Sequence, residues 1–397
     1  MMENARLLAQ AQALRGDTLR MYRALHRRPE TAGREVETNA YIRAELEAIG
    51  APYLAPAPNL TLAVLDSGHP GATVGLRCDT DALPVREETG LSYASEREGV
   101  MHACGHDGHI AIGLSAARLL WEHRDEWRGR VKVIFQPAEE CALGARQVMQ
   151  TGLVDDVDAF FAIHLWSPYP TGTFCASPVA VSAAVNMFRV VLRGRGGHGA
   201  TPEKCADALV AGAALVTDLQ AAVARMVSPL APALLTIGSF HAGAVGNVIA
   251  DQAEIEGTIR SLDEGVRGTL EDALANMARH IAAAYGCTAE VENRRSCDAV
   301  RNDRRAAALA ERCAQALFGA ERVAPQQTLM LGDDFANYGA IAPYCYAQAG
   351  IADAARHTDA PHHSGRFRVD ENVLPDCVAW MGAFAMACGE TWNAPEK

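Results

Sequence analysis

Apolar and polar residues alternate along the first part of the chain in a pattern that predicts helices and strands in turn. Ile42, Leu46 and Ile49 share one face of a helix. Gly50 follows them as a stop signal. Strands separated by helices indicate an α/β fold, a parallel-rich sheet covered by helices on both faces. The predicted strands are 61–66, 73–77, 131–135 and 159–164, and a helix is predicted at 110–123.

The pattern changes at about residue 183, where a smaller domain is predicted. Its order of strand, helix, two strands, helix and strand fits a split βαβ, ferredoxin-like α+β domain. Its segments are 187–193, 207–225, 233–240, 252–261, 266–285 and 288–293. Helical patterns return at 304–318 and 372–388. A chain of 397 residues exceeds what one core usually supports, so we expect 183–295 to be inserted into a larger domain made of 1–182 and 296–397.

Polar residues stand where a parallel-rich sheet binds ligands, beyond the carboxyl ends of its strands. Asp79 and Asp81 follow one predicted strand. Glu139 and Glu140 follow another, and His164 ends a third. A glutamate pair is more often a solvated loop, and a histidine in an apolar run is more often a core residue. Their convergence on one edge nevertheless predicts a site, where one glutamate binds a cation and the other acts as general base.

The segment 101–109, MHACGHDGH, holds a dense group of metal-binding side chains. Thiolate and imidazole are ligands that zinc prefers, and Cys104 and His106 are close enough in sequence to bind one ion. A polar turn with one buried cysteine is the alternative. Near the other end of the chain, His362 and His363 precede a predicted helix, and either could complete a metal site.

The inserted domain offers three further candidates. The segment 194–199, GRGGHG, formally matches a dinucleotide-binding pattern, but Asp218 lies in a predicted helix rather than at a strand end, which excludes that function. Its glycines instead allow the backbone to carry His198 close to a ligand. Asn247 is a second candidate, and Arg260 a third, because arginine binds a carboxylate through two points. A surface arginine at a sheet edge is the alternative for Arg260.

The net charge and the cysteine content indicate which partners and which cell compartment to expect. A net charge of -12 argues against nucleic acid and anionic membranes, because both attract basic surfaces. The 11 cysteines are scattered and odd in number, which is not typical of a disulfide framework. The first residues lack the charged-then-apolar order of a secretory signal. We expect a cytoplasmic protein that binds neither nucleic acid nor membrane.

Taken together, the motifs resemble those of metal-dependent amidohydrolases that include hippurate hydrolases, indole-acetyl-amino-acid hydrolases and N-acyl-amino-acid deacylases. The matching stretches are RCDTDALP, MHACGHDGH, QPAEE, AIHLW, GGHGATP, GNVIADQAEIEGTIRSLD and HHSGRFRVDE. The resemblance implies five metal ligands. They are Cys104, His106, Glu140, His164 and His363. It also implies Glu139 as the catalytic carboxylate. Asp79 and Asp81 are expected to support the site. His102, Asp107 and His109, which are not among the implied ligands, become structural candidates that orient the ligands.

The resemblance further implies a lid domain that contributes His198 and Asn247, and homodimers formed through that lid. The predicted activity is hydrolysis of the amide bond of N-acyl or N-aroyl amino acids or related small amides. The ligand types suit one or two divalent ions, zinc or manganese first and cobalt or nickel as options. The alternatives are a metallopeptidase or other small-amide hydrolase at the same site, and a non-catalytic metal- or peptide-binding protein. A pure binder has no need of a base such as Glu139.

Two departures from the family pattern affect what surrounds the site. Where the family usually reads Gly-Gly-Glu-Asp-Phe, this chain has Leu331 and Asp333 in the first and third positions. We expect these residues to reshape the substrate pocket. The family's proline after the last ligand is replaced by Gly365, which is expected to loosen that loop.

Overall fold

The computed structural model describes residues 4–393, which form two compact units. The first unit extends to Val181 and resumes at Arg301–Gln327 and from Asp334 onward. The second unit consists of Ser182–Val300 and Thr328–Asp333. The boundaries therefore differ from those expected, because 296–300 and 328–333 belong to the second unit.

The first unit contains seven helices and eight strands among the described residues, if the short strand that enters the second unit is included. Those before the second unit are α1 (Asn4–Ala13), α2 (Arg15–His26), α3 (Val36–Ala48), β1 (Tyr53–Ala57), β2 (Leu60–Asp66), β3 (Thr73–Asp79), α4 (His106–Glu122), β4 (Arg130–Gln136), α5 (Gly144–Gln150), β5 (Ala159–Pro170), β6 (Phe174–Cys175) and β7 (Ala180–Ser182).

The second unit follows along the chain. Its elements are β8 (Ala184–Arg193), β9 (Gly197–His198), α6 (Ala208–Met226), β10 (Ala233–Ala242), β11 (Val248–Ile249), β12 (Gln252–Ser261), α7 (Glu264–Ala284), β13 (Thr288–Cys297) and β14 (Val300–Arg301). The first unit then resumes. Its remaining elements are α8 (Arg304–Phe318), β15 (Tyr344–Ala352) and α9 (Leu374–Thr391).

A seven-stranded sheet forms the centre of the described first unit, in the order β1-β2-β4-β3-β5-β15-β6. The middle strands β4, β3, β5 and β15 are parallel, whereas β1, β2 and β6 pair antiparallel at the two edges. Strand β3 is buried along nearly its whole length, as expected of a parallel strand covered on both faces. The sheet confirms the predicted α/β class.

Helix α4 and strand β5 differ from the sequence prediction in ways that matter for the site. The helix begins at His106, earlier than its apolar pattern indicates, and nearly all of it is buried. It approaches β3 closely because Gly113 has no side chain, and a Cβ atom there would lie 2.5 Å from the Cys78 sulfur. His164 does not end its strand, since β5 continues to Pro170. The site therefore lies beside the middle of β5 rather than beyond its end.

An antiparallel sheet in the order β10-β12-β8-β13 forms the second unit, and α6 and α7 share an apolar core with it. The order β8-α6-β10-β12-α7-β13 confirms the predicted split βαβ pattern. Among the described helices, α6 alone is long and apolar enough to cross a membrane by length and composition. Leu215 and Leu219 of this helix are fully buried in the core of the unit, whereas Leu209 and Val210 are exposed.

Candidate active site

Helix α4 presents two of the predicted metal ligands at its amino end. Gly105 precedes the helix with a φ of 88°, a left-handed conformation that glycine adopts without strain. This turn leaves Cys104 just outside the helix and makes His106 its first residue, and both side chains are buried. The positive end of a helix dipole stabilises a nearby thiolate. The local backbone therefore suits a Cys-x-His metal-binding pair.

Hydrogen bonds fix which nitrogen each buried histidine offers to a ligand. The Nδ1 atom of His106 lies 2.9 Å from the carbonyl oxygen of Asp81. That of His164 lies 2.8 Å from the carbonyl oxygen of Leu165. Because a carbonyl oxygen only accepts, both Nδ1 atoms carry a proton, and in the neutral rings both Nε2 atoms carry a lone pair. The Nε2 atom of His164 lies 3.6 Å from the Cys104 sulfur, and that of His106 is buried without a hydrogen-bond partner among the described residues.

The structure distinguishes His362 from His363. Nε2 of His362 lies 3.0 Å from the carbonyl oxygen of Leu165, and its Nδ1 lies 3.1 Å from the Ser167 hydroxyl. Both of its ring nitrogens are therefore occupied. His363 has a left-handed φ of 63° and directs Nε2 at the Glu140 carboxylate, 3.3 Å away. The geometry supports His363 as the ligand, as the resemblance implies.

The five predicted ligands fall into two groups that share Cys104. Ligand atoms of Cys104, His106 and His164 lie within 4.8 Å of one another. Those of Cys104, Glu140 and His363 also do. The structure thus brings together all five residues, which come from four separate segments of the first unit.

The charges around these ligands favour a bound cation. Burial, followed by the nearby Glu140 carboxylate, raises the pKa of the Cys104 thiol well above its usual range. Burial opposes a charge on His106, but Asp79 and Asp81 outweigh it and raise the pKa of that imidazole to about 10. The same negative potential attracts a divalent ion, which in turn favours the thiolate and the neutral imidazole. The donor set and the unpartnered Nε2 atom of His106 therefore fit one or two divalent ions.

The loop after β4 carries the adjacent glutamates. Both are partly buried, and ligand atoms of Glu139, Glu140 and His106 lie within 4.8 Å of one another. The N–H groups of Glu139 and Glu140 donate to the two carboxylate oxygens of Asp81, at 3.1 and 2.9 Å. Asp81 therefore orients both glutamates through its side chain and His106 through its backbone carbonyl.

Asp79 supports the site through His109. The N–H of Leu165 donates to Nε2 of His109 at 2.9 Å, so the proton of that ring is on Nδ1 and is donated to Asp79. Burial opposes a charge on Asp79, but Arg77 and then His106 outweigh it and hold the pKa of this carboxyl well below its usual range. Asp79, His106 and His109 also form a compact group, yet the first and last of them are hydrogen-bonded to each other. We therefore interpret Asp79 and His109 as supporting residues.

The sequence analysis missed two acidic residues that hold the glutamate loop. Glu35 accepts a hydrogen bond from the N–H of Ala138 at 2.8 Å. Asp334 accepts from Nε2 of Gln136 at 2.7 Å and from the N–H of Ala145 at 2.9 Å. The Gly-Asp-Asp-Phe motif pointed to the neighbourhood of Asp334, whereas Glu35 lies in a stretch without any metal-binding pattern.

The structure anchors the loop around Gly365. A Cβ atom at this residue would lie 2.4 Å from the carbonyl oxygen of Arg86, and the N–H of Glu88 donates to the carbonyl oxygen of Gly365 at 2.7 Å. The expectation of a loosened loop is therefore wrong, because glycine here permits close packing of two backbones.

In the second unit, His198 and Asn247 lie close together, and Arg260 lies apart from them. Strands β9 and β11 pair His198 with Val248, and the N–H of Gly199 donates to the carbonyl oxygen of Asn247 at 2.9 Å. The N–H of residue 200 donates to Nδ1 of His198 at 3.0 Å, so a neutral ring carries its proton on Nε2. Arg260 stands near the far end of β12.

The second unit also contains Leu331 and Asp333, the two residues that depart from the family's Gly-Gly-Glu-Asp-Phe pattern. The partly buried Arg260 donates from Nη1 to the carbonyl oxygen of Met330 at 3.0 Å. The neighbouring Leu331 is half exposed, whereas Asp333 is buried. Arg260 and the segment 328–333 therefore form one neighbourhood.

Comparisons with known proteins agree with this geometry. Residues 75–387 match the family described as Peptidase family M20/M25/M40. An N-acetylcysteine deacetylase of Bacillus subtilis is 35% identical over 94% of this chain and 97% of its own length. Thermostable carboxypeptidase 1 of Saccharolobus solfataricus is 33% identical over 93% of both.

A solved structure from Bacillus subtilis extends the likeness to the fold. It is described as a dinuclear metal-binding peptidase of the M20 family, and it aligns with a TM-score of 0.83 at 32% identity. The alignment covers 96% of this chain and 99% of the other. The family match covers most of the chain, and the implied amidohydrolase resemblance is confirmed. The chain therefore belongs to peptidase family M20/M25/M40.

Proposed function

We propose that this protein hydrolyses the amide bond of N-acyl amino acids, with Glu139 as the general base. The observation that carries the proposal is the placement of Glu139 beside two ligand groups that meet at Cys104. The deacetylase name of one relative supports an N-acyl amino acid as substrate. The carboxypeptidase name of another supports a second candidate, hydrolysis of a terminal peptide bond at the same site.

We infer that these five residues would hold two divalent ions. Zinc or manganese fits thiolate, imidazole and carboxylate donors, and cobalt or nickel is the next choice. A bound ion would lower the pKa of water towards ~7 and polarise the substrate carbonyl. The description of a related structure as dinuclear supports the two-ion arrangement.

The chain's own residues would carry the proton. The Glu139 carboxylate accepts a proton from the attacking water and delivers it to the departing nitrogen. Asp81 holds the backbone of Glu139 so that the carboxylate need not reorganise. Nε2 of His198 carries a proton in the neutral ring and would donate a hydrogen bond to the developing oxyanion. Arg260 would bind the substrate carboxylate.

We also propose a homodimer formed through the second unit. Strand β10 is the edge of its sheet among the described residues, and α6 exposes Leu209 and Val210. Eight residue steps separate Gln252 from Arg260 along β12, which is roughly 26 Å of ladder. The β9–β11 ribbon with His198 extends from the opposite end. This separation supports an arrangement in which a second copy supplies one of the two residues, Arg260 or His198, to a small substrate.

The function is tested by a substrate panel with chelator and with each metal restored. We expect hydrolysis of N-acetyl, N-benzoyl or indole-acetyl amino acids, loss of activity with chelator and recovery with metal. Faster cleavage of dipeptides would favour the carboxypeptidase candidate. Inactivity on every amide with metal bound would overturn the proposal and favour the non-catalytic binder.

The roles of His198 and of the dimer are tested together. His198→Ala should lower turnover about 100- to 1000-fold while the metal stays bound. Mixing this variant with Glu139→Gln should restore activity if the partner supplies His198. Unchanged turnover of His198→Ala would remove the residue from the mechanism, and a monomer in sedimentation would overturn the dimer.

A further inference from the structure

The loop that carries Glu139 and Glu140 is held in a strained conformation. Ala138 has a φ of 54° and Ala142 a φ of 53°, in the left-handed region that residues with a side chain seldom adopt. Such residues persist only where the surrounding structure fixes them. Because Ala138 directly precedes Glu139, its conformation determines where both glutamates point.

Three consecutive N–H groups of this loop donate to carboxylates from distant segments. Those of Glu139 and Glu140 donate to Asp81. That of Ala138 donates to Oε1 of Glu35 at 2.8 Å. The strained residue is therefore held on its N–H side by Glu35, which is 103 residues away in sequence.

Glu35 lies at the start of α3, but its side chain does not cap that helix. It occupies the position before α3, where short polar side chains cap helices, and its own longer side chain makes no capping hydrogen bond. Oε2 of Glu30 accepts from the N–H of Thr38 in the first turn instead, at 2.8 Å. The Glu35 side chain is buried, its Oε2 atom has no hydrogen-bond partner among the described residues, and its Oε1 atom also accepts from Gly33 at 2.9 Å.

The two carboxylate-bearing segments are tied to each other. Thr31 and Ala82 form a parallel bridge, and the N–H of Ala82 donates to the carbonyl oxygen of Glu30 at 2.7 Å. The segments that carry Glu35 and Asp81 are therefore joined by backbone hydrogen bonds. A shift of either segment would displace Glu139 and Glu140.

We propose that Glu35 is a positioning residue for the Glu139–Glu140 pair, holding Ala138 in its left-handed conformation so that one glutamate faces the substrate and the other the metal. The catalytic part of this inference depends on the proposed function. The metal-binding part does not, because Glu140 is a ligand candidate whether or not the substrate is an N-acyl amino acid.

The first test compares Glu35→Ala with Glu30→Ala. Removing Glu35 should lower kcat and metal affinity about 10- to 100-fold, with a much smaller change in KM. Glu30→Ala removes the cap of the same helix and should lower Tm while leaving kcat and metal affinity unchanged. Glu35→Gln should keep most of the activity, because its amide oxygen still accepts from Ala138. If Glu35→Ala does not fold, Glu35→Asp keeps the charge but retracts the acceptor and should show the same losses.

The second test adds Ala138→Gly to Glu35→Ala. Glycine adopts a φ near 54° without strain, so the double variant should regain much of the lost metal affinity and kcat. Three results would each overturn the proposal. They are unchanged metal affinity and kcat in Glu35→Ala, equal losses in Glu30→Ala, and no recovery in the double variant with Ala138→Gly. If the wild type hydrolyses no amide, the proposed function fails, and calorimetric metal titration of these variants still decides the role of Glu35.

Discussion

His363 directs its Nε2 atom at the carboxylate of Glu140, 3.3 Å away, while the ring of its neighbour His362 is hydrogen-bonded at both nitrogens. We therefore expect His363→Ala to lower metal affinity, because a ligand atom is lost. His362→Gln is the matched control and should retain the metal. Metal content after dialysis checks both variants, and the reverse result would assign the ligand to His362.

Glu139→Gln is expected to lower turnover by about 100-fold or more, because the amide cannot accept the proton of water. Metal content should be preserved, since Glu140 is the ligand candidate of the pair. Glu140→Gln, the adjacent control, should lose metal affinity. Single-turnover kinetics and metal analysis on the same samples decide the matter, and loss of metal from Glu139→Gln would mean that the two glutamates have exchanged roles.

Arg260→Ala should raise KM for carboxylate-bearing substrates roughly 10- to 100-fold, the value of a hydrogen bond to a charged group. Turnover should change little. Arg193→Ala alters an exposed arginine of the same unit that pairs with Glu290 and should leave KM unchanged. An unaltered KM in Arg260→Ala would leave this residue with a structural role only, as donor to the carbonyl oxygen of Met330. A substrate amide without a carboxylate should not distinguish the variants.

Stability should fall as pH rises through the pKa of His26. Burial opposes its charge, but hydrogen bonds to Asp107 and Glu87 outweigh burial and raise the pKa of His26 from 6.5 to about 9. Below pH 6.5 the ring is charged in both states and its stabilisation is complete. Between 6.5 and 9 only the folded protein keeps the proton, so the free energy of unfolding should fall, by on the order of 3 kcal/mol.

Urea unfolding of the metal-free protein at pH 6.5 and pH 9 measures this change. His26→Gln has no titrating ring and should be less stable at pH 6.5 with a smaller difference between the two conditions. Equal pH dependence in both proteins would contradict the prediction.

Most of the fold was predictable because its apolar periodicity is regular. The helix at 304–318 and the strand at 252–261 coincide with α8 and β12 residue for residue. The first turn of α4 was missed because its polar residues are buried rather than exposed, so the usual relation between polarity and surface fails there. The predicted strand ended at His164, although β5 continues to Pro170, because a polar histidine after an apolar run is typical of a strand end.

The site was predictable only in part. Composition and spacing identified Cys104 and His106, but they left His362 and His363 equivalent. That choice depends on which ring nitrogens are already hydrogen-bonded, a property of folded neighbours such as Leu165. The role of Glu35 could not be predicted for the same reason, because its hydrogen-bond partner, Ala138, is distant in sequence.

At Gly113, where a Cβ atom would lie 2.5 Å from the Cys78 sulfur, the helix that begins at His106 packs directly on the central sheet. An ion bound by His106 would therefore be coupled to the packing of the interior of the first unit. Mutations in that interior would change ion affinity without altering a ligand. Thermal resistance and retention of the ion should accordingly evolve together in this protein, so that selecting for one also selects for the other.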